Sequence, residues 1–149
     1  MSENEVINIV IYGNPVPQGR PKFARRGNFV TAYDPQRSRN YKQWLRLNII
    51  DKLKKVEGWK PYESAILVDI VFYMGIPTSW GKKKRTEAAQ GLVRPTSKKS
   101  GDLDNLVKAV QDAGNGLLWV DDSIITDLRA RKRYTPELAR VEISATEVR

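Results

Sequence analysis

The sequence predicts a single α/β domain, because strand patterns and helix patterns alternate along a chain of moderate length. The chain has 149 residues, which is enough to enclose one hydrophobic core. Hydrophobic residues make up 40% of the chain and charged residues 29%, a balance typical of a folded domain outside the membrane. We find no internal repeat and no second domain, so we expect one domain over residues 1–149.

The first third of the chain predicts a strand, a loop and a long helix. Residues 6–12 alternate and are rich in β-branched side chains, as a strand requires. Turn-forming residues at 13–21 predict a loop that carries into a basic stretch. Asp34 and Pro35 match a helix N-cap and first helical position, so a helix should run from there to about Lys55. Its apolar face would comprise Tyr41, Leu45, Ile49 and Leu53, with Trp44 beside them.

The middle of the chain predicts a buried strand and a long basic segment. Both faces of residues 65–74 are largely apolar, which is typical of a central strand covered on both sides. Residues 75–101 are polar and basic, and a segment this long is usually functional or mobile, so we expect mobility here. Residues 82–90 within it are compatible with a short helix.

The last third of the chain predicts a helix and two strands. Residues 104–113 have a helical pattern that ends at Gly114-Asn115-Gly116. Residues 124–132 alternate, which places Ile124, Thr126, Leu128 and Ala130 on one face and Asp127, Arg129, Arg131 and Arg133 on the other. A turn at Thr135-Pro136 leads to a final strand over residues 138–145.

Composition limits the chemistry and indicates the kind of partner. The chain has no Cys and no His, which excludes disulfides, thiol nucleophiles, histidine bases and metal sites built from either residue. Lys and Arg number 26 against 17 acidic residues, a net charge of +9 that favours a polyanionic partner such as nucleic acid. The polar, acidic start and the absence of long apolar runs predict no signal peptide, no membrane association and a cytoplasmic protein.

An acidic cluster stands out in this basic chain. Asp102 and Asp104 are two residues apart, so both side chains can face one point, and Lys108 follows one helical turn after Asp104. Asp121-Asp122 stands just before the next predicted strand and could bring a third carboxylate to the same place. Three converging carboxylates would repel one another without a cation, and carboxylate oxygens suit Mg²⁺. The pattern therefore predicts metal-assisted phosphodiester chemistry, with Lys108 stabilising the transition state.

The Asp-X-Asp pair alone has other interpretations. It occurs in helix caps, in calcium loops and in phosphatases that use an aspartyl nucleophile. Leu106 and Val107 stand where a calcium loop of the EF-hand type needs a ligand and a glycine. A phosphatase would place an apolar strand before the motif, whereas the polar residues 97–101 precede it here. We interpret Asp112 as a surface helix residue, and we expect one of Asp121 and Asp122 to form a turn.

Taken together, these motifs resemble the RusA family of Holliday junction resolvases. The resemblance rests on Gly-Asp-Leu-Asp-Asn-Leu-Val-Lys at 101–108, Asp112, Asn115-Gly116 and Trp-Val-Asp-Asp at 119–122. Gly-Asn-Pro-Val-Pro-Gln-Gly-Arg-Pro-Lys at 13–22 and the segment 77–85 look like phage and prophage members. Two features depart from the family: Ser100-Gly101 replaces a common Lys-Pro, and Gly114 replaces an apolar residue. Neither change removes a proposed ligand.

The resemblance implies a small mixed α/β (α+β) fold with a sheet flanked by helices, and a homodimer. It implies an endonuclease that cuts four-way DNA junctions with Mg²⁺, for which Mn²⁺ could substitute. The family's metal-binding aspartates map onto Asp102, Asp104 and Asp122, with Asp121 a weaker candidate, and its essential lysine onto Lys108. A two-fold dimer would place matched cuts in opposing strands of a junction.

Basic segments around this site are candidates for gripping backbone phosphates. The candidate DNA-binding residues are Arg20, Lys22, Arg25, Arg26, Lys82, Lys83, Lys84, Arg85, Arg129, Arg131 and Arg133. We expect Trp44, Trp80 and Trp119 to serve the core or an interface rather than to stack on bases. Two other functions stay open: a metal nuclease that prefers flaps or forks, and a DNA-binding protein that kept the fold without catalysis.

Overall fold

The structure is a computed structural model that describes residues 6–17, 22–26, 29–33 and 36–148. Of residues 22–26, 29–33 and 36–38 it describes only the backbone, and side chains are described again from Arg39 onward. The strands are β1 (Val6–Tyr12), β2 (Lys22–Arg26), β3 (Phe29–Tyr33), β4 (Ile66–Gly75), β5 (Ile125–Thr135) and β6 (Arg140–Glu147). The helices are α1 (Gln36–Leu53), α2 (Lys82–Ala89) and α3 (Leu103–Gly114), with short 3₁₀ turns at Lys98–Ser100 and Asp122–Ile124.

The main sheet is mixed and has the strand order β1-β6-β4-β5. β6 is antiparallel to both of its neighbours, whereas β5 runs parallel to β4. A parallel pair needs a long crossover, and the segment between β4 and β5 holds α2 and α3. The predicted small domain with a mixed sheet flanked by helices is therefore confirmed, and β5 lies at the edge of the sheet beside α3.

The core lies between one face of the sheet and the helices α1 and α3. Alternate residues of β4 point to this face, and Ile66, Val68, Ile70 and Phe72 are fully buried there. α3 contributes a buried apolar stripe, because its apolar residues recur with the helical period and so share one face. The principal buried residues that it brings are Leu106, Val107, Val110 and Ala113.

The prediction that β4 is covered on both faces is only partly confirmed. On the second face Leu67 is 38% exposed while Val71 is 9% exposed, so the described helices cover one face of the sheet. An apolar run shows that a strand is central, as β4 is between β6 and β5, but it does not show what covers each face.

Most predicted elements agree with the structure to within a few residues, and one element was missed. β1, the helix face with Tyr41, Leu45 and Ile49, the short helix α2, and α3 are confirmed. The basic stretch predicted to continue a loop instead contains the antiparallel hairpin of β2 and β3. Each strand has only five residues, too few for alternation to be recognised. None of the described helices is long and apolar enough to cross a bilayer.

Candidate active site

The start of α3 presents two exposed aspartates. Asp102 is the N-cap residue, with extended backbone and no capping hydrogen bond from its carboxylate. Asp104 lies in the first turn, where a negative charge is favoured by the helix dipole. Its Oδ1 accepts a hydrogen bond from the Asn105 N–H at 3.0 Å. Both carboxylates therefore stand at the surface, at the end of the helix where backbone N–H groups attract anions.

Lys108 lies between two carboxylates on the exposed side of α3. Its Nζ is 3.1 Å from Oδ1 of Asp112, one turn further along the helix, and 3.6 Å from Oδ2 of Asp122. The Lys108 side chain is 50% exposed, whereas those of Asp112 and Asp122 are 25% and 28% exposed. The structure thus brings the predicted Lys108 and Asp122 together, although 13 residues of sequence separate them in the chain.

The two carboxylates stabilise the charged form of Lys108. The hydrogen bond to Asp112 is the main cause that raises the Lys108 pKa above its ordinary value, and the charge of Asp122 adds to it. A lysine with a raised pKa contributes stability below its unfolded value, and that contribution is lost only as the pH rises through the raised pKa. Lys108 is therefore a cation throughout the neutral range and can bind a phosphate oxygen there.

The position of Asp122 depends on a tightly packed turn after α3. Trp119 is fully buried, and its Nε1 donates to Oδ1 of Asn115 at 3.0 Å. A Cβ built on Gly114 would lie 2.5 Å from the Trp119 ring, so only glycine fits at this point of the helix. Arg46 of α1 donates to the carbonyl oxygens of Ala113 and Asn115, which closes the C-terminal end of α3. The expected core role of Trp119 is confirmed.

Asp121 and Asp122 have different environments. Oδ2 of Asp121 accepts a hydrogen bond from the Ser123 N–H at 3.1 Å and so starts the 3₁₀ turn. A hydrogen bond from the Ser123 side chain is the main cause that lowers the Asp121 pKa below its ordinary value, and the bond from the Ser123 N–H adds to it. The expectation that one of the pair forms a turn is confirmed: Asp121 does so, while Asp122 faces Lys108.

The metal site stays a prediction. Within the described ranges, no group of three or more acidic side chains is arranged to hold a metal ion. The predicted ligands Asp102, Asp104 and Asp122 nevertheless fit Mg²⁺ in chemical type, because they offer only hard oxygen donors. Asp102 and Asp104 are exposed at the start of α3. Asp122 lies in the turn after this helix, beside Lys108 of α3.

An open groove of about 820 Å³ adjoins these residues between α3 and β5. Its floor is apolar, with Leu103 and Val107 from the helix and Leu128 and Ala130 from the strand. Asp104, Asn105, Lys108 and Gln111 line the rest of it. The predicted catalytic residues Asp104 and Lys108 therefore border a surface depression wide enough for part of a large ligand.

The arginines of β5 lie on the other face of the sheet. Arg129, Arg131 and Arg133 alternate with the groove residues Leu128 and Ala130, so they point away from α3. Arg131 forms an ion pair with Asp69 of β4 at 3.1 Å. Burial, followed by the nearby charges of Arg94 and Arg131, lowers the Arg133 pKa below its ordinary value. This concentration of positive charge is favourable for a polyanion but does not border the groove.

The remaining basic candidates fall into two groups. Lys82, Lys83, Lys84 and Arg85 are all exposed on α2. The Lys84 Nζ lies 3.9 Å from the centre of the Trp80 ring, and Trp80 packs edge-on against Tyr134 of β5. Arg20 lies outside the described residues, and so do the side chains of Lys22, Arg25 and Arg26, whose backbone forms β2.

Asp112, which the sequence predicts to be a surface helix residue, makes the shorter of the two ion pairs to Lys108. Its position four residues after Lys108 accounts for the contact, because such pairs face each other on a helix. Pairs of opposite charge at this spacing are common on helix surfaces, so the spacing alone does not distinguish a site from a solvated surface.

These features define a class: a small basic α+β domain with a lysine and several carboxylates clustered at one helix. A family model, Endodeoxyribonuclease RusA, matches residues 12–146. The chain is also 38% identical over 146 residues to the uncharacterized protein YqaN of Bacillus subtilis (strain 168), covering 97% of this chain and 98% of that protein. The chain belongs to the RusA endodeoxyribonuclease family, which acts on branched DNA, and membership implies a nuclease.

Proposed function

We propose that this protein is a Mg²⁺-dependent, structure-selective endodeoxyribonuclease that resolves Holliday junctions by paired symmetric nicks. It would act in the bacterial cytoplasm during DNA recombination and repair, as a phage- or prophage-type member of its family. The observation that carries the proposal is the position of Lys108, held between Asp112 and Asp122 on the helix whose start carries the exposed carboxylates of Asp102 and Asp104. Pure DNA binding would not be served by four carboxylates facing a polyanion.

The carboxylates divide into two roles in this proposal. Asp102, Asp104 and Asp122 would hold Mg²⁺, which when bound activates water and neutralises charge on the scissile phosphate. Asp112 would hold the ammonium group of Lys108 in place from one turn away. Lys108 would then bind a phosphate oxygen and stabilise the negative charge that develops during cleavage. Since the chain has no histidine, no imidazole competes for the role of base.

Basic surfaces and dimer symmetry would supply selectivity for junctions. The exposed basic residues of α2 and the arginine row of β5 would bind backbone phosphates on surfaces outside the groove. Two copies related by a two-fold axis would place two identical sites against the matching symmetry of a four-way junction. Sedimentation of the purified protein should therefore show a dimer, alone or on the junction.

A nuclease specific for flaps or forks is the second candidate function, because the same site would cut any branch presented to it. A synthetic four-way junction, a fork and a linear duplex, each with Mg²⁺ or with EDTA, distinguish the candidates. We expect symmetric nicks in the junction and none with EDTA. Faster cutting of the fork would favour the second candidate. Tight junction binding without cleavage would leave a non-catalytic DNA-binding protein.

A further inference from the structure

We propose that Lys132 is a positioning residue that fixes the backbone carrying Asp102, and so sets the distance between the carboxylates at the start of α3 and Asp122. This inference rests on the proposed function, because it assigns Asp102 to the metal. Lys132 lies on β5, outside the acidic motif, and its side chain points to the face of the sheet that carries the helices.

The Lys132 ammonium group holds the turn that precedes Asp102. Its Nζ donates to the carbonyl oxygen of Gly101 at 2.7 Å and to Oγ of Ser100 at 3.0 Å. Ser100 is buried, and its hydroxyl donates in turn to the carbonyl oxygen of Ser97 at 2.7 Å. Hydrogen bonds from a charged donor are stronger than neutral ones, so the bonds from Lys132 hold the turn at residues 97–101 more strongly than its neutral hydrogen bonds do.

The backbone of the turn has little freedom to change conformation while Lys132 is bound to it. Gly101 has a φ of +83°, a conformation that favours glycine, and a Cβ there would meet Pro17 at 2.7 Å. Its N–H donates to the carbonyl oxygen of Lys98 at 3.1 Å. Lys132 binds the Gly101 carbonyl oxygen, which belongs to the next peptide, the one that leads into Asp102. Backbone on both sides of Gly101 is therefore held just before Asp102.

Asp102 needs such support because its exposed carboxylate makes no capping hydrogen bond at the start of α3. A metal ligand must be held close to its productive position, and supporting contacts are what hold it there. For Asp102 those contacts act on the backbone, through Gly101 and through the first helical bond from the Leu106 N–H to the Asp102 carbonyl oxygen.

β5 connects this support to the other side of the site. Asp122 belongs to the 3₁₀ turn that leads directly into β5, and Lys132 stands further along the same strand. β5 pairs with β4 from Ile125 to Thr135, with one irregularity of register just after Ile125, and this pairing limits how far the two ends of the strand can move apart. β5 and the turn that leads into it therefore carry both Asp122 and Lys132. In this way the position of Asp122 is linked to that of Asp102, which comes from a different part of the chain.

The test compares Lys132→Met, which keeps the aliphatic chain, with Lys132→Arg and with Lys55→Met as a control for the lost charge. Mn²⁺ binding is measured by electron paramagnetic resonance without DNA, and amide hydrogen exchange is followed at Gly101 and Leu106. We expect Lys132→Met to weaken Mn²⁺ binding about tenfold. It should also speed exchange at both amides about tenfold or more. Lys132→Arg should recover part of both losses, and Lys55→Met should match the wild type.

Junction affinity in EDTA and the Mg²⁺ dependence of cleavage complete the test. We expect Lys132→Met to bind the junction within about twofold of wild type, yet to need about tenfold more Mg²⁺ for half-maximal cleavage. Faster exchange with unchanged Mn²⁺ affinity would overturn the proposal, since Lys132 would then be only structural. Unchanged exchange would overturn it as well.

Two further outcomes have a defined meaning. If Lys132→Met does not fold, Lys132→Gln removes the charge and shortens the side chain while it keeps a polar end group, and unchanged Mn²⁺ affinity in that variant would overturn the proposal. If the wild-type protein binds Mn²⁺ but cuts no branched DNA, the proposed function fails, while the Mn²⁺ comparison between variants still decides the role of Lys132. A wild-type protein that binds no Mn²⁺ would overturn both.

Discussion

Lys108 is the residue on which the acidic cluster of this protein is centred. Two carboxylates from different elements share its ammonium group, at 3.1 Å from Asp112 and 3.6 Å from Asp122. The group is half exposed, so these contacts orient it more than they stabilise the fold, and an exposed pair contributes only about 0.3–0.5 kcal/mol. Orientation matters here because a phosphate-binding cation must be in place before the transition state forms.

Replacing Asp112 with Asn tests whether the charge of this carboxylate orients the Lys108 ammonium group. We expect Asp112→Asn to lower the Lys108 pKa toward its ordinary value, because the largest cause of the raised pKa is lost. The change is measured by NMR titration of the Lys108 Nζ resonance. Junction cleavage should fall about tenfold, since Lys108 would be less well oriented. A pKa that stays raised would show that Asp122 alone holds the ammonium group.

Replacing Asp104 with Asn tests the metal assignment. We expect Asp104→Asn to abolish junction cleavage in Mg²⁺ while binding of the junction in EDTA is retained, because metal ligation requires the carboxylate charge. Asp121→Asn is the matched control, since Asp121 is occupied with the Ser123 N–H and an amide oxygen can accept the same bond. Full activity of Asp104→Asn would refute the assignment of this residue.

At the scale of elements, α3 and the turn after it determine where Asp122 lies. The helix end is closed by Arg46 from α1, and the turn is anchored by the buried Trp119 packed on Gly114. Gly114, which stands where the family usually has an apolar residue, is required by this packing. A small residue at the helix surface lets the indole approach the backbone, and the turn that carries Asp122 follows from that contact.

Gly114→Ala should therefore destabilise the protein although alanine favours helices. The added methyl group would meet the Trp119 ring at 2.5 Å, and forcing it in should cost about 1–3 kcal/mol. This exceeds the gain of about 0.5–1 kcal/mol from replacing a helical glycine. Urea unfolding measures the difference. Gly75→Ala, where nothing lies within 4 Å of the new Cβ, is the control and should change stability by less than about 0.5 kcal/mol.

At the scale of the whole molecule, the charge is distributed over more than one side of the site. The net charge is +9, yet the groove beside Asp104 and Lys108 carries little of the excess. The arginines of β5 lie on the other face of the sheet, and the basic residues of α2 are exposed. A ligand bound by all of them would have to reach around the edge strand β5, as a branched polymer can.

Arg129→Ala tests whether this face contacts DNA. Arg129 is exposed, so its loss should leave the fold intact, weaken junction binding and reduce the salt slope of the binding constant by about one. Arg131→Ala should do the same and also destabilise the protein, because Asp69 would lose its partner. Binding is measured over a range of salt concentrations, with Lys55→Ala as control. An unchanged slope for Arg129→Ala would place DNA elsewhere.

Local pattern and composition were enough to predict the secondary structure around the site and the chemistry available to it. The absence of Cys and His limits metal ligands to oxygen donors, and the spacing of Asp104 and Lys108 places them on one side of α3. Such properties are local, because composition and helical period depend only on neighbouring residues. Local pattern also recovered β1, the central position of β4 and the alternation of β5.

Which distant groups come into contact could be seen only in the folded chain. The contact between Lys108 and Asp122 depends on the Gly114–Trp119 packing, and the hold of Lys132 on Gly101 depends on the parallel pairing of β4 and β5. The role of Asp112 and the separation of the β5 arginines from the groove were decided in the same way. Periodicity describes a residue's face on its own element, whereas contacts between elements depend on packing that no local pattern specifies.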